Sequence, residues 1–146
     1  MDSTTCIRPF ASEDTARLLT IWHAGSAQAH PFLTPAQLEE QKKLVGDVYL
    51  PRAETWVATL DDAPVGFIGM LDNFIGGLFV DPARHGYGIG RRLLEHTLAL
   101  KGTLELEVYA LNAGALGFYR HLGFQEVGRK PQDDNGLPFE LIRLRR

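Results

Sequence analysis

Three glycines at alternate positions, Gly86, Gly88 and Gly90, stand where an apolar stretch gives way to a helix-like pattern. Because glycine has no Cβ, the backbone can bend sharply there and a ligand can approach it closely. The first N–H groups of a helix have no partner inside it, and with the helix dipole they attract anions. The spacing predicts a binding turn for a diphosphate. The alternative is a tight strand-to-helix connection in which the glycines serve geometry alone.

Two other phosphate-binding loops do not fit this run. A Walker A loop ends in Gly-Lys followed by Ser or Thr, a triplet that the sequence lacks. A dinucleotide-binding fingerprint has its third glycine one residue later, within an opening βαβ unit. The run from Gly86 to Gly90 comes late in the chain, after consecutive strand-like segments.

A second run with chemical potential extends from Asn112 to Phe124. Asn112 can cap a helix or bind an amide of a ligand, and Ala115 is small enough to let a ligand approach. The phenol of Tyr119 has an ordinary pKa near 10, so it can protonate a departing thiolate. The alternative for Tyr119 is a half-buried aromatic ring whose hydroxyl is bound to water.

Composition limits the classes of protein to which the chain can belong. Its 146 residues suit one domain, 1–146, and 15 basic against 18 acidic side chains give a net charge of −3, which argues against a nucleic-acid surface. No signal peptide or apolar run of about 18 residues is present, so we expect a cytoplasmic protein without a membrane partner. Cys6, the single cysteine, is expected to be buried, and the five histidines lack metal-site spacing, so we expect no metal.

The elements that must position these residues follow from periodicity and cap signals. Ser12 is expected to cap the first helix, Thr34 with Pro35 and Gln37 the second, and Gly123 to end the last. We expect strands over 5–10, 55–60, 65–71, 74–80, 103–109, 124–129 and 139–144, and helices from 12 onward and over 34–49, 91–100 and 112–121. The predicted fold is α/β, a mixed sheet with helices on its faces in the order β1-α1-α2-β2-β3-β4-α3-β5-α4-β6-β7.

Both runs resemble motifs of the GCN5-related N-acetyltransferase (GNAT) superfamily. The segment 85–90 is similar to its cofactor motif Arg/Gln-x-x-Gly-x-Gly/Ala, with His85 where the family usually has Arg or Gln. Segment 78–82 is similar to the fourth strand of the family and its exit. The run 112–124 is similar to the signature Asn-x-x-Ala-x-x-Phe-Tyr…Gly-Phe. Further likeness in 21–22, 30–33 and 133–138 indicates a small bacterial subgroup whose acceptors are largely unassigned.

The resemblance implies a GNAT-like fold and an acetyl-CoA-dependent N-acetyltransferase that moves acetyl directly to an amine. It implies that backbone N–H groups of the glycine turn hold the pyrophosphate, that β4 holds the pantetheine, and that a backbone amide near Phe79 polarises the thioester. Tyr119 would protonate the sulfur. The cofactor-binding residues implied are Leu78, Phe79, Val80, His85, Gly86, Tyr87, Gly88, Ile89, Gly90, Arg91, Asn112 and Tyr119.

The sequence offers several candidates for the group that takes the proton of the amine. Many members of the family have a glutamate in the fourth strand, but segment 74–80 contains no carboxylate. The remaining candidates are His30, His23, Asp72 and Glu54, and His30 is preferred because histidine titrates near neutrality and the family places this region over the acceptor groove. The groove residues expected are Trp22, His23, His30, Phe32 and Asp72, with Trp56 as a further candidate.

Alternatives from other classes stay open at this point. The same fold could hold acyl-CoA as a sensor or regulatory module without turnover, or it could acylate charged transfer RNA, which the net charge of −3 disfavours. The expected partner is a small-molecule, peptide or protein amine, and the expected state is a monomer or homodimer.

Overall fold

Seven strands form a single mixed sheet in the order β1-β2-β3-β4-β5-β7-β6 in the computed structural model, which describes residues 5–29, 33–133 and 136–146. The strands are β1 Thr5–Pro9, β2 Glu54–Leu60, β3 Ala63–Leu71, β4 Phe74–Val80, β5 Glu105–Tyr109, β6 Gln125–Lys130 and β7 Leu141–Arg145. The helices are α1 Thr15–Ala29, α2 Pro35–Leu44, α3 Ile89–Lys101 and α4 Ala113–His121. The order of these strands and helices along the chain confirms the predicted order of elements.

The pairing of β4 with β5 sets the position of the site. All other neighbouring strands are antiparallel, but β4 and β5 are parallel and pair only at Phe74 with Glu105 and at Ile75 with Leu106. Beyond these pairs the two strands have no common ladder in the described part of the chain. A gap therefore opens between their C-terminal halves.

Helices cover both faces of the sheet because successive side chains of a strand point to opposite faces, and the central strands carry apolar side chains on both. On one face, α3 and α4 contribute Leu93 and Tyr119 to a core with Leu106 of β5. On the other face, Leu18 of α1 and Leu38 of α2 pack in a second core that includes Val57, Phe67 and Phe79 of the sheet. The gap between β4 and β5 thus connects two differently built layers.

Of the caps predicted at Ser12, Thr34 and Gly123, two are confirmed and one is wrong. Thr34 accepts from the N–H of Gln37 at 3.2 Å while its own N–H donates to the Gln37 side chain at 2.8 Å. Gly123 follows α4 with a positive φ of 95°, as expected for a glycine that ends a helix. Ser12 does not cap α1: it opens a 3₁₀ turn, Ser12–Asp14, whose Asp14 carboxylate accepts from Ala11 N–H.

The helical segment after Thr34 is longer than predicted. It continues beyond α2 as a π turn, Val45–Tyr49, and a last turn, Leu50–Arg52. Leu50 N–H donates to the Val45 carbonyl five residues earlier, which is the hydrogen bond of a π turn. Such turns often occur at functional sites.

Other sequence expectations have different outcomes. Cys6 is exposed on the edge strand β1, so the expectation that it is buried is wrong. Within residues 5–29, 33–133 and 136–146, none of the helices combines the length and the hydropathy that a bilayer-spanning segment needs. The same described residues contain no group of three or more His, Cys, Asp or Glu side chains suited to a metal ion.

Candidate active site

A cleft of about 1250 Å³ occupies the gap between β4 and β5. On the side of α3 and α4 it is lined by the glycine turn and by α4 residues from Asn112 to Tyr119. On the side of α1 and α2 it is lined by residues such as Trp22 and Tyr49. One continuous space therefore joins the two faces of the sheet, which suits a reaction between two substrates that enter from opposite sides.

The glycine turn presents backbone donors to this cleft. Gly86 and Gly88 have φ values of 88° and 75°, in the left-handed region that favours glycine. Of the N–H groups from Gly86 to Arg91, only that of Tyr87 donates to a backbone carbonyl in the described part of the chain, at 3.3 Å from the Arg84 oxygen. The others are available to an anionic ligand at the N-terminus of α3.

Cationic side chains gather around the same turn. The guanidinium of Arg84 lies 5.7 Å from the ring centre of Tyr87. Arg91 lines the cleft and pairs with Glu95 along the exposed face of α3 at 2.8 Å. His85, which stands at the position of the usual Arg or Gln, has its Nε2 atom 3.2 Å from the Val80 carbonyl and so links the turn to the end of β4.

The wall formed by β4 has an exposed backbone. Gly69 pairs with Gly77 and Met70 with Ile75, so Gly76 is an extra residue that bulges from β4. From Gly76 onward, the β4 edge that faces β5 has no ladder partner among the described residues. The rings of Phe79 and Trp22 pack together with their centres 6.3 Å apart, so the Phe79 side chain points away from α3.

Helix α4 supplies the opposite wall. The Asn112 side chain caps it by accepting from the N–H of Ala115 at 3.1 Å, which confirms the cap prediction. Tyr119 lies two turns later on the same helix face, 8% exposed, with its ring edge-on to Phe118 and Phe124. Burial raises the pKa of the Tyr119 phenol, so this hydroxyl keeps its proton at neutral pH.

The other end of the cleft carries carboxylates. Glu107 of β5 lines it, and its Oε2 atom lies 2.9 Å from the ammonium of Lys130. Asp133 also lines it, but its oxygens accept from the Tyr109 hydroxyl and from Leu137 N–H, each at 2.9 Å. The charged side chains therefore differ along the cleft: arginines lie at the glycine turn, and carboxylates lie at the other end, where Glu107 is paired with Lys130.

The residues predicted for the acceptor groove are only partly brought together. Trp22 lines the cleft, whereas His23 is half-buried beside it and outside the lining. Asp72 lies exposed in the turn between β3 and β4, away from the cleft. His30 and Phe32 lie outside the described residues.

Trp56 and Glu54 lie on the α3 face of the sheet rather than in the cleft. The Trp56 ring packs edge-on against His96 of α3 at 4.4 Å, and Glu54 pairs with Lys101 at 2.8 Å. Side chains of β2 alternate between faces, so Trp56 points away from its neighbour Val57, which packs in the core beneath α1 and α2. The suggestion that Trp56 lines the groove is therefore wrong.

Glu107 and Tyr49 are among the cleft-lining residues that sequence reasoning missed. The alternation of Glu105, Glu107 and Tyr109 with apolar residues indicates a polar face on β5, but it does not show that this face borders a gap. No sequence pattern around Tyr49 indicates that it lines the cleft, because its contact with the sheet depends on how the helical segment after α2 folds over the sheet.

Comparison with known proteins gives consistent matches over most of the chain. The family model "Acetyltransferase (GNAT) domain" matches residues 51–126. "Peptidyl-lysine N-acetyltransferase YjaB" of Salmonella typhimurium is 40% identical over 139 residues, covering 94% of this chain and 95% of that protein. "Peptidyl-lysine N-acetyltransferase YiaC" of Escherichia coli is 32% identical over 133 residues, covering 90% and 91%. The solution structure of apo-form YjaB from Escherichia coli superposes with a TM-score of 0.90 at 36% identity, covering 97% of each chain.

Proposed function

This chain belongs to the GNAT family of acetyltransferases, and we propose that its acceptor is the ε-amino group of lysine in a peptide or protein. It is an N-acetyltransferase with acetyl-CoA as acetyl donor. The names of its relatives YjaB and YiaC specify peptidyl-lysine as the group that those proteins acetylate.

The division of charge along the cleft is the observation that carries the proposal. Arg84 and Arg91 lie at the glycine turn, whereas Glu107 and Asp133 line the opposite end. A diphosphate is attracted to the first end and an alkylammonium to the second. Trp22, between α1 and the sheet, offers an apolar wall to the aliphatic part of a lysine side chain.

We infer that the glycine turn holds the diphosphate of acetyl-CoA, because most of its N–H groups have no backbone acceptor among the described residues. A Cβ added at Gly90 would lie 3.3 Å from Cζ of Phe118 and 3.6 Å from a methyl group of Val80, so this position has little room for a side chain. The residues that would hold the donor are Leu78, Phe79, Val80, His85, Gly86, Tyr87, Gly88, Ile89, Gly90, Arg91, Asn112 and Tyr119. When bound, the donor supplies an acetyl group activated as a thioester.

Tyr119 is the proposed general acid. Tyr119 lines the cleft and its hydroxyl keeps its proton at neutral pH, so we infer that it donates that proton to the sulfur that leaves. A positioned acid of this kind contributes about 10²–10⁴-fold to the rate.

Glu107 is the proposed acceptor of the amine proton. It is the carboxylate of β5 that reaches the cleft, and its contact with Lys130 places an ammonium against it. This assignment replaces Glu54 and Asp72, which lie elsewhere. His30 lies outside the described residues and stays a prediction, to be tested by the pH–rate profile of His30→Ala.

The cytoplasm is the compartment that we propose for this reaction. Cys6 is the sole cysteine, and its exposed thiol suits a reducing compartment. Fractionation of cells that produce the tagged chain, followed by detection of the tag, tests this location.

Thiol release from acetyl-CoA tests the lysine proposal. The acceptor is a peptide with a blocked N-terminus and one internal lysine, and the matched control has norleucine in place of that lysine. Release with the first peptide alone supports the proposal. Release only from peptides with a free N-terminal amine would contradict it, and tight binding of acetyl-CoA without release on any amine would favour the sensor alternative.

A further inference from the structure

Tyr49 reaches the cleft because the helical segment widens before it. In an α-helix, residues at positions four apart drift around the axis by about 40° for each step. The π turn Val45–Tyr49 has more residues per turn, which counters this drift and keeps Tyr49 nearly in line with Gln41 and Val45. All three line the cleft.

The Tyr49 ring lies directly on glycines of the sheet. A Cβ added at Gly69 would come within 2.7 Å of Cε1 of Tyr49, and a Cβ added at Gly76 would overlap the Tyr49 hydroxyl. Neither glycine has a positive φ, so backbone conformation does not require glycine at these positions. The glycines are needed because the phenol takes the space that their side chains would occupy.

The Tyr49 hydroxyl is fixed in this position. It donates to the Gly69 carbonyl at 3.3 Å, and burial raises its pKa to about 12. The phenol is therefore neutral at physiological pH and unsuited to act as a base. The Tyr49 ring forms a rigid wall at the bulge of β4, where Gly76 has no side chain of its own.

We propose that Tyr49 determines acceptor specificity by narrowing the cleft at the bulge of β4, so that it admits an amine on an unbranched alkyl chain. This inference rests on the proposed function and extends it, because a lysine side chain is such a chain whereas an N-terminal α-amine stands on a branched carbon. The ring covers Gly69 and Gly76, and Trp22 and Phe79 close the neighbouring part of the same wall. A branch next to the nitrogen would need the space that the phenol fills.

The selectivity for n-butylamine over sec-butylamine, as a ratio of kcat/KM values from thiol release, tests this inference. We expect the wild type to prefer the linear amine and Tyr49→Ala to lower the ratio at least about tenfold, the usual effect of one methyl group in a shaped pocket. Tyr49→Phe keeps the ring and is expected to keep the ratio. Val48→Ala is the matched control, since Val48 belongs to the same π turn but is 41% exposed and outside the cleft lining.

A second pair of variants tests the contact itself. Gly76→Ala should displace the Tyr49 ring and lower the same ratio, whereas in the Tyr49→Ala background it should have little further effect, a non-additivity expected of residues in contact. If the melting temperature shows that Tyr49→Ala folds poorly, Tyr49→Leu replaces it, because leucine removes less side-chain volume than alanine does.

The outcomes separate this inference from the proposed function. An unchanged ratio in folded Tyr49→Ala or Tyr49→Leu would overturn the role of Tyr49 even if lysine peptides are acetylated. A ratio that responds to Tyr49 while lysine peptides give no product would overturn only the lysine proposal. Absence of turnover with every amine would overturn both.

Discussion

The carboxylate of Glu107 lies 2.9 Å from the ammonium of Lys130, at the end of the cleft that faces away from the glycine turn. Lys130 reaches this carboxylate from β6, across β7. The acceptor end therefore already stabilises an alkylammonium ion of the chain itself. A substrate lysine would present the same chemical group to the same carboxylate.

Glu107→Gln should lower kcat by about 10² or more, because the amide has the shape of the carboxylate but cannot take a proton from the amine. Glu105→Gln is the matched control two residues earlier on the same strand face. Hydrogen bonds from Arg143 and Arg145 lower the pKa of Glu105 and hold its carboxylate away from the cleft. Thiol release at saturating acceptor measures both variants.

Equal losses of kcat in the two variants would point to a general effect of charge on this face of the sheet. A normal kcat in Glu107→Gln would eliminate Glu107 as the proton acceptor and leave His30 as the remaining candidate.

Tyr119→Phe should lower kcat by about 10²-fold or more and leave the affinity for CoA unchanged, since the ring and its packing against Phe118 and Phe124 are retained. Calorimetric titration with CoA checks the affinity. Because burial raises the pKa of Tyr119, the wild-type kcat should stay level through about pH 10, where an ordinary phenol begins to lose its proton. A fall of the wild-type kcat near pH 10 that is absent in Tyr119→Phe would contradict the raised pKa of Tyr119.

The sequence was sufficient for the elements and for the local geometry of the glycine turn and of Asn112 because these depend on local patterns. The positive φ of Gly86 and Gly88 and the cap by Asn112 follow from residue types within one turn of the chain. The resemblance to the GNAT motifs implied that these residues surround one ligand, and the structure brings them to one cleft. The order of elements along the chain followed from the order of apolar segments and the family resemblance, whereas the order of strands within the sheet was not predicted.

The acceptor end could not be predicted in the same way because it is assembled from distant segments. Glu107 borders the cleft only because β4 and β5 separate after two residue pairs, and periodicity does not report such a separation. Tyr49 lies over Gly76 only because a π turn redirects it. The assignment of Ser12 as a cap failed for a similar reason, since Arg8 of β1 recruits Asp14 into a tertiary ion pair.

Gly88→Ala should weaken CoA binding at least about tenfold, because a residue with φ near 75° pays about 1–2 kcal/mol for its Cβ and the turn would relax away from the geometry that exposes its N–H groups. Gly102→Ala is a closely matched control. Gly102 also has a positive φ, 80°, and open space around its Cβ position, but it ends α3 far from the turn. Calorimetry with CoA and thermal unfolding measure the two effects separately.

Both alanine variants should lose similar stability, and only Gly88→Ala should lose affinity. If the two bind CoA equally well, the diphosphate does not depend on the backbone of this turn.

Asp14→Asn should destabilise the fold by about 1–2 kcal/mol at neutral pH, a value reduced from that of a buried ion pair because Arg8 is 40% exposed. Asp14 is 5% exposed and accepts from Arg8 at 2.8 and 2.9 Å and from Ala11 N–H at 2.9 Å. The hydrogen bonds from Arg8 lower the pKa of Asp14. Its stabilising effect is therefore complete above the ordinary aspartate pKa near 4 and is lost as the pH falls through the lower value in the folded state.

Urea unfolding at pH 7 and at steps down to about pH 2.5 measures this dependence. The free energies of unfolding of the wild type and Asp14→Asn should differ most at neutral pH and converge in acid. Protonation of Asp14 removes the negative charge that pairs with Arg8, and the substitution has already removed that charge. Glu13→Gln is the control, since the neighbouring Glu13 side chain is exposed and its replacement should cost little at any pH. A difference between wild type and Asp14→Asn that stays constant with pH would mean that shape, and not the charge of Asp14, stabilises the start of α1.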